Sequence, residues 1–140
     1  MNLHPRLEAD SDLLGYMNLC QVRLIRNKAF PWILLIPNQN DIVEITDLSE
    51  NDQQQLMREI AQASKAMSTL YSPDKINVGA LGNMVPQLHV HVIARFKDDG
   101  AWPGAVWGSG VDENYSDADL SATKDKLTKA LNLAQQQQAA

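Results

Sequence analysis

The run Gln87-Leu88-His89-Val90-His91-Val92-Ile93 sets polar and apolar residues at alternating positions. On a β-strand, successive side chains point to opposite faces. The period therefore predicts a strand with Gln87, His89 and His91 on one face and Leu88, Val90 and Val92 on the other. By strand geometry, neighbouring polar groups on that face stand ~7 Å apart. The chain holds three histidines, and two of them fall in this run.

The rest of the chain supplies elements for such a strand to pack against. Leu3, Leu7, Leu14 and Met17 recur at roughly helical intervals, and Pro5 suits a first turn, which predicts a helix within residues 3–19. QVRLIRN (21–27) alternates and predicts a strand. WILLIP (32–37) is a continuous apolar run closed by Pro37, as expected of a strand covered on both faces. After the turn cluster NQND, the segment IVEITDL (42–48) predicts another short strand. Ser49 and Asp52 resemble a capping box. Leu56, Ile60, Ala63, Met67 and Leu70 then recur at intervals of four and three, the mark of an amphipathic helix that Pro73 stops. KINVG opens as a strand and becomes a glycine loop, and PQLHVHVIARF (86–96) is the next strand. Residues 98–115, rich in Gly, Pro and Trp, read as an ordered loop. Ser116 with Asp119 caps a last helix carrying Leu120, Leu127 and Leu131.

That order predicts an α+β fold, with a mostly antiparallel sheet of about five strands and helices on one side. A length of 140 residues suits one domain with a proper core. We read that domain over 1–134 and a flexible tail over 135–140. A net charge of −5 repels nucleic-acid backbones and anionic membranes. Any phosphate site must be built locally, from imidazoles, backbone N–H groups or a helix start. Cys20 is the one cysteine, so no internal disulfide forms, in keeping with a reducing compartment; its apolar flank predicts burial. The N-terminus shows no basic region followed by an apolar run, and FPWILLIP is too short to span a bilayer. The expected location is cytoplasmic.

Three chemistries compete for His89 and His91. They can be structural, hydrogen-bonded within a half-buried strand. They can hold zinc or iron as a His-x-His pair, which requires further ligands. His4 is distant in sequence, Gln87 is a poor ligand, and no carboxylate stands at a recognisable spacing. Or they can act on phosphorus: neutral imidazole is a nucleophile, and a protonated ring nitrogen donates to a phosphate oxygen. Asn77-Val78-Gly79-Ala80-Leu81-Gly82-Asn83, joined directly to the histidine strand, lets backbone N–H groups approach an anion.

Residues 77–93 resemble the signature of the histidine triad (HIT) family. Its pattern is three histidines alternating with hydrophobic residues, followed by two more hydrophobics. Gln87 stands where the first histidine belongs, and every other position matches. Strand segments at 22–37, the amphipathic helix at 52–71 and Ala101-Trp102-Pro103-Gly104 extend the resemblance to about residues 20–108. It implies an α+β meander that forms a homodimer with the two sheets joined side by side. It also implies a nucleotide hydrolase or nucleotidyl transferase acting on dinucleoside polyphosphates or nucleoside phosphoramidates.

Carried over by position, His89 attacks the α-phosphorus to form a nucleotidyl-histidine that water cleaves. His91 contacts the phosphate and favours departure of the leaving group. Asn77, Gly82 and Asn83 fall on the phosphate or leaving-group side, and Asn27 with Arg26 near the ribose-binding strand. The resemblance implies no cofactor or metal bound by the protein; a divalent cation such as Mg²⁺ accompanies a polyphosphate substrate. A glutamine at 87 both donates and accepts, so it can keep a network that orients the nucleophile, but it carries no titratable proton. The alternatives are a nucleotide-binding regulatory module with little catalysis, and a His-x-His metal enzyme. Trp102 and Trp107 either stack on a base and cover the site, or pack over the sheet edge or a dimer interface. Lys124, Lys126 and Lys129 read as a solvated helix face.

Overall fold

The helical spacing read over 56–70 forms α2 (Glu50–Tyr71). Ser49 starts it: its Oγ accepts from the Asp52 backbone N–H at 3.1 Å, satisfying a donor that a helix N-terminus leaves free. The helix stops where Ser72 turns left-handed, φ 48°, ahead of Pro73. Leu56, Ala63 and Met67 form its buried apolar stripe. Helix α3 (Asp117–Ala130) starts the same way, with Ser116 Oγ accepting from Asp119, and buries Leu127.

The computed structural model describes residues 1–137. Besides these helices it holds α1 (Pro5–Asp10), β1 (Ser11–Tyr16), β2 (Cys20–Ile25), β3 (Trp32–Pro37), β4 (Lys75–Gly79) and β5 (Val90–Arg95). The strands form one sheet in the order β1-β2-β3-β5-β4, with every neighbouring pair antiparallel. This is the α+β fold the sequence predicts, except that α1 packs on the face opposite α2 and α3 rather than beside them. On one face, Val22, Leu24, Ile33, Leu35, Val90 and Val92 share a core with α2 and α3. Each such side chain contributes roughly 1.5–3 kcal/mol on burial. The other face carries two smaller clusters, one around Leu34, Ile36, Leu7 and Val85 and one around Phe30, Ile93 and Val106. Strands β3 and β5 are therefore covered on both sides, as WILLIP requires. Among the described residues, no helix is long and apolar enough to cross a membrane.

Three local expectations are corrected. The helix read over 3–19 is confined to Pro5–Asp10, and Ser11–Tyr16 pairs with β2 instead. Its apolar spacing bridges two elements: Leu7 packs on Leu34 and Ile36, whereas Leu14 joins the core beneath the helices. Gly15 sits at φ 154° in an irregular stretch of the ladder, and a Cβ there would lie 2.6 Å from the Ala134 carbonyl oxygen. The strand read over 42–48 is a 3-10 turn at Ile45–Asp47. Asp47 makes it: its carboxylate accepts from the backbone N–H groups of Glu44 (2.9 Å) and Val43 (3.0 Å). Those bonds hold its pKa below the ordinary carboxylate value. The histidine strand begins only at Val90, because Leu88 donates to Ile42 rather than to the sheet. Of the tail read over 135–140, Gln135 Nε2 donates to the Leu14 carbonyl at 3.3 Å; residues 138–140 lie outside the described residues.

Cys20 is fully buried, and burial followed by the nearby Glu59 carboxylate raises its pKa, so it stays a thiol. Glu59 itself is 1% exposed. Its two oxygens accept from the backbone of Leu19 (2.8 Å) and Cys20 (2.9 Å) and from Gln55 Nε2 (2.8 Å). One helical carboxylate thus ties the β1–β2 turn to α2. Glu59→Gln turns one acceptor into a donor facing another donor. It is expected to cost about 1–3 kcal/mol, read as a lower urea midpoint at unchanged m-value.

Candidate active site

Antiparallel pairing sets Leu34 and Gly79 on either side of His91. The odd-numbered residues of β5 face away from α2, so His89, just before the strand, and His91 come side by side. Their ring centroids are 5.0 Å apart and the planes meet at 62°. Both residues are nearly buried, at 8% and 7% exposure, and both line a cleft of about 570 Å³.

The two rings are held differently. His89 Nδ1 lies 2.7 Å from the main-chain oxygen of Gln87. A carbonyl oxygen only accepts, so Nδ1 carries a proton, and in the neutral ring the lone pair is on Nε2. His91 Nδ1 accepts from the indole Nε1–H of Trp32 at 2.9 Å, which places its proton on Nε2. Burial, aided by the neighbouring His89, lowers the His91 pKa to about 3. His91 is therefore a neutral donor across the physiological range. Trp107 meets it edge-on, with centroids 5.2 Å apart. That approach needs Gly79, where a Cβ would stand 3.0 Å from the Trp107 ring.

A protein-family model described as HIT domain matches residues 6–98, more than half of the chain. This chain belongs to the HIT family. A histidine triad protein from Bradyrhizobium japonicum shares 42% identity at a TM-score of 0.90, covering 93% of this chain and 97% of that one. One from Marinobacter aquaeolei VT8 shares 44% identity, also at 0.90, covering 94% and 96%. A histidine triad family protein from Mycobacterium smegmatis, described as Zn-bound, is 16% identical over 91% and 89% at a TM-score of 0.61, a likeness of fold alone. No curated protein matches.

Within this HIT fold, the remaining site candidates separate. Gly82 and Asn83 line the cleft beside the histidines, with Gly82 at φ 69°. Arg26 lines it too, paired with Asp12 at 3.0 Å. Asn77 does not line it. Its Oδ1 accepts from Arg95 Nη1 at 2.8 Å. Asn27 forms part of the wall, but its amide is committed: Oδ1 accepts from Ala29 (3.1 Å) and Glu113 (3.2 Å), and Nδ2 donates to the Val111 carbonyl (2.9 Å). It pins the loop ahead of α3. The Gln87 amide turns from His89 toward the N-terminal segment, with Oε1 accepting from His4 N at 2.7 Å. Only its main-chain carbonyl orients the ring. The two loop tryptophans divide: Trp107 lines the cleft, and Trp102 packs on the Arg95 guanidinium, 5.8 Å from its ring.

Sequence reading missed Trp32, because the β3–β5 register that brings it to His91 is not written in either strand alone. It also missed the Arg95–Asp99 pair. Arg95, 1% exposed, donates to Asp99 (2.8 and 3.1 Å) and to the Gly104 carbonyl (2.8 Å). The guanidinium, with backbone N–H groups of Phe96, Ala101 and Trp102, holds the Asp99 carboxyl well below its ordinary value. This pair moors the loop that carries Trp107. Among the described residues, no three His, Cys, Asp or Glu side chains group closely enough to hold a metal ion.

The lowered His91 pKa gives a pH signature. Between about 3 and the ordinary 6.5, the unfolded chain protonates this histidine and the folded one does not. Stability is fully present above 6.5 and is lost as pH falls through that window. From pH 7 to pH 5 this one site should remove on the order of 2 kcal/mol. His91→Gln is expected to flatten the fall, measured by urea unfolding at the two pH values.

Proposed function

We propose that this HIT-family chain binds a nucleotide in the His89–His91 cleft and hydrolyses or transfers it at the α-phosphorus through His89. Its substrates in this reading are dinucleoside polyphosphates or nucleoside phosphoramidates. The observation that carries the reading is the pair of opposite ring states, an Nε2 lone pair on His89 beside an Nε2–H on His91.

His89 Nε2 attacks the α-phosphorus, and the bond from phosphorus to the leaving oxygen or nitrogen breaks, the leaving atom keeping the electron pair and, when it is an amine nitrogen, taking a proton from solvent. The ring then bears positive charge, with both nitrogens substituted, and its Nδ1–H still donates to the Gln87 carbonyl. That bond strengthens as the charge develops. His91 donates its Nε2–H to a phosphoryl or leaving-group oxygen without changing its own charge. Water then attacks phosphorus and gives up a proton to solvent, the P–N bond breaks with its electron pair returning to Nε2, and a nucleoside monophosphate leaves with His89 restored. A second acceptor in place of water gives transfer. Splitting one displacement into two is the gain from a covalent nucleophile. Gly82 and Asn83, at the cleft, supply neutral donors for the remaining oxygens. The protein binds no cofactor of its own, and Mg²⁺ enters with a polyphosphate.

The same reading makes the protein a cytoplasmic homodimer. Strand β4 is a sheet edge with Val78 46% exposed, which suits side-by-side joining of two sheets.

A panel of dinucleoside polyphosphates with Mg²⁺, and of nucleoside phosphoramidates with and without chelator, tests the proposal. His89→Ala should lower turnover by about three orders of magnitude or more. His91→Ala should lower kcat by about 10²–10³, the loss expected of one transition-state donor. Nucleotide binding without any turnover would instead mark a regulatory module. Phosphoramidate turnover that chelator abolishes and zinc restores would mark a metal enzyme.

A further inference from the structure

The position where the family signature has its first histidine serves a different purpose in this chain. The Gln87 carboxamide faces residues 1–4. Oε1 accepts from the His4 backbone N–H at 2.7 Å, and Nε2 donates to the Asn2 carbonyl at 3.2 Å while touching Met1 Sδ at 2.9 Å. The Asn2 carbonyl and the His4 N–H flank Leu3 on the same side of the chain, as in a β-ladder. A carboxamide has the coplanar oxygen and N–H₂ of a peptide group, so it pairs with both at once. An imidazole's two nitrogens diverge and cannot.

What this grips is the start of a cleft wall. His4 caps α1, its Nδ1 accepting from Arg6 N at 3.1 Å. Arg6, Leu7, Ala9 and Asp10 of α1 line the cleft. Six residues are far too few for a helix to stand by itself. The wall is held by Leu7 packed on Leu34, Ile36 and Val85, by Ser11 Oγ donating to the Leu7 carbonyl, and at its leading end by Gln87 and the Asn2–Asn40 bond. One residue thus acts twice. Its main-chain carbonyl sets the His89 tautomer, and its side chain sets the wall.

We infer that Gln87 is a positioning residue whose carboxamide holds the N-terminal segment 1–10 as the outer wall of the nucleotide cleft. Its side chain governs how tightly the nucleoside end of the ligand is bound, not the reactivity of His89. The inference rests on the proposed function for what fills the cleft. In this reading the wall meets ligand remote from phosphorus, so its loss weakens ground state and transition state alike and appears in KM.

The test uses the full chain and Gln87→Ala and Gln87→His. Hydrogen–deuterium exchange over residues 3–10 is compared with exchange over β2 and β3, which reports that the sheet remains folded. Adenosine monophosphate binding is measured by calorimetry, and KM and kcat on whichever substrate the wild type turns over. Losing two neutral hydrogen bonds should speed exchange over 3–10 about tenfold or more in both variants. Adenosine monophosphate should bind several-fold more weakly, and KM should rise by the same factor while kcat moves far less. Unchanged exchange over 3–10, a wild-type exchange pattern in Gln87→His, or a fall in kcat at constant KM would overturn the inference. A wild type that turns nothing over would refute the proposed function, and exchange with adenosine monophosphate binding would still decide the tether.

Discussion

The two faces of β5 are the constraint from which the rest follows. Val90, Val92 and Ala94 are buried toward α2 and α3, while His91, Ile93 and Arg95 face the other way. Because the side-chain period is two, a slip of one residue would drive the imidazole into the aliphatic core and expose the valines. The hydrophobic stripe of α2 therefore fixes more than stability. It decides which side of the sheet can hold polar groups, and it leaves that side to be covered by short segments: α1, the glycine loop and residues 96–112.

On that polar side, among the described residues, several groups near the histidines are committed before any ligand arrives, while the buried Trp107 Nε1–H has no partner. The Gln87 carbonyl and the Trp32 indole take up the two Nδ1 positions with opposite proton demands. Arg95 and Asp99 satisfy one another and tie down the loop that presses Trp107 against His91. Asn27 fastens the far end of the same loop. Such second partners matter as much as the reacting groups, because a ring free to turn would present either nitrogen.

Legibility in the sequence tracked how local each cause is. The α2 stripe and the serine caps of α2 and α3 depend on residues three or four apart, and they were readable. The pairing of His89 with His91 depends on strand periodicity, and it was readable too. The overall order of elements came out right through two compensating misreadings. Ser11–Tyr16 supplied a strand that the leucine spacing hid, and Ile45–Asp47 withdrew one that its β-branched residues suggested. Side-chain direction was harder. Asn77 and Asn27 were readable by type and position, but not the contacts their amides make with Arg95 and the 111–113 backbone. The Gln87 amide meets residues more than 80 positions away, a pairing no local pattern encodes.

Everything proposed for the chemistry requires the two imidazoles to be neutral and of opposite tautomer in the resting protein. Long-range ¹H–¹⁵N correlation of ¹⁵N-histidine protein at pH 7 reads this directly. The account requires His89 to give the pattern of an Nδ1-protonated ring, and His91 that of an Nε2-protonated neutral ring, persisting well below pH 6. Two rings of the same tautomer, or a His91 that is an imidazolium at neutral pH, would contradict it.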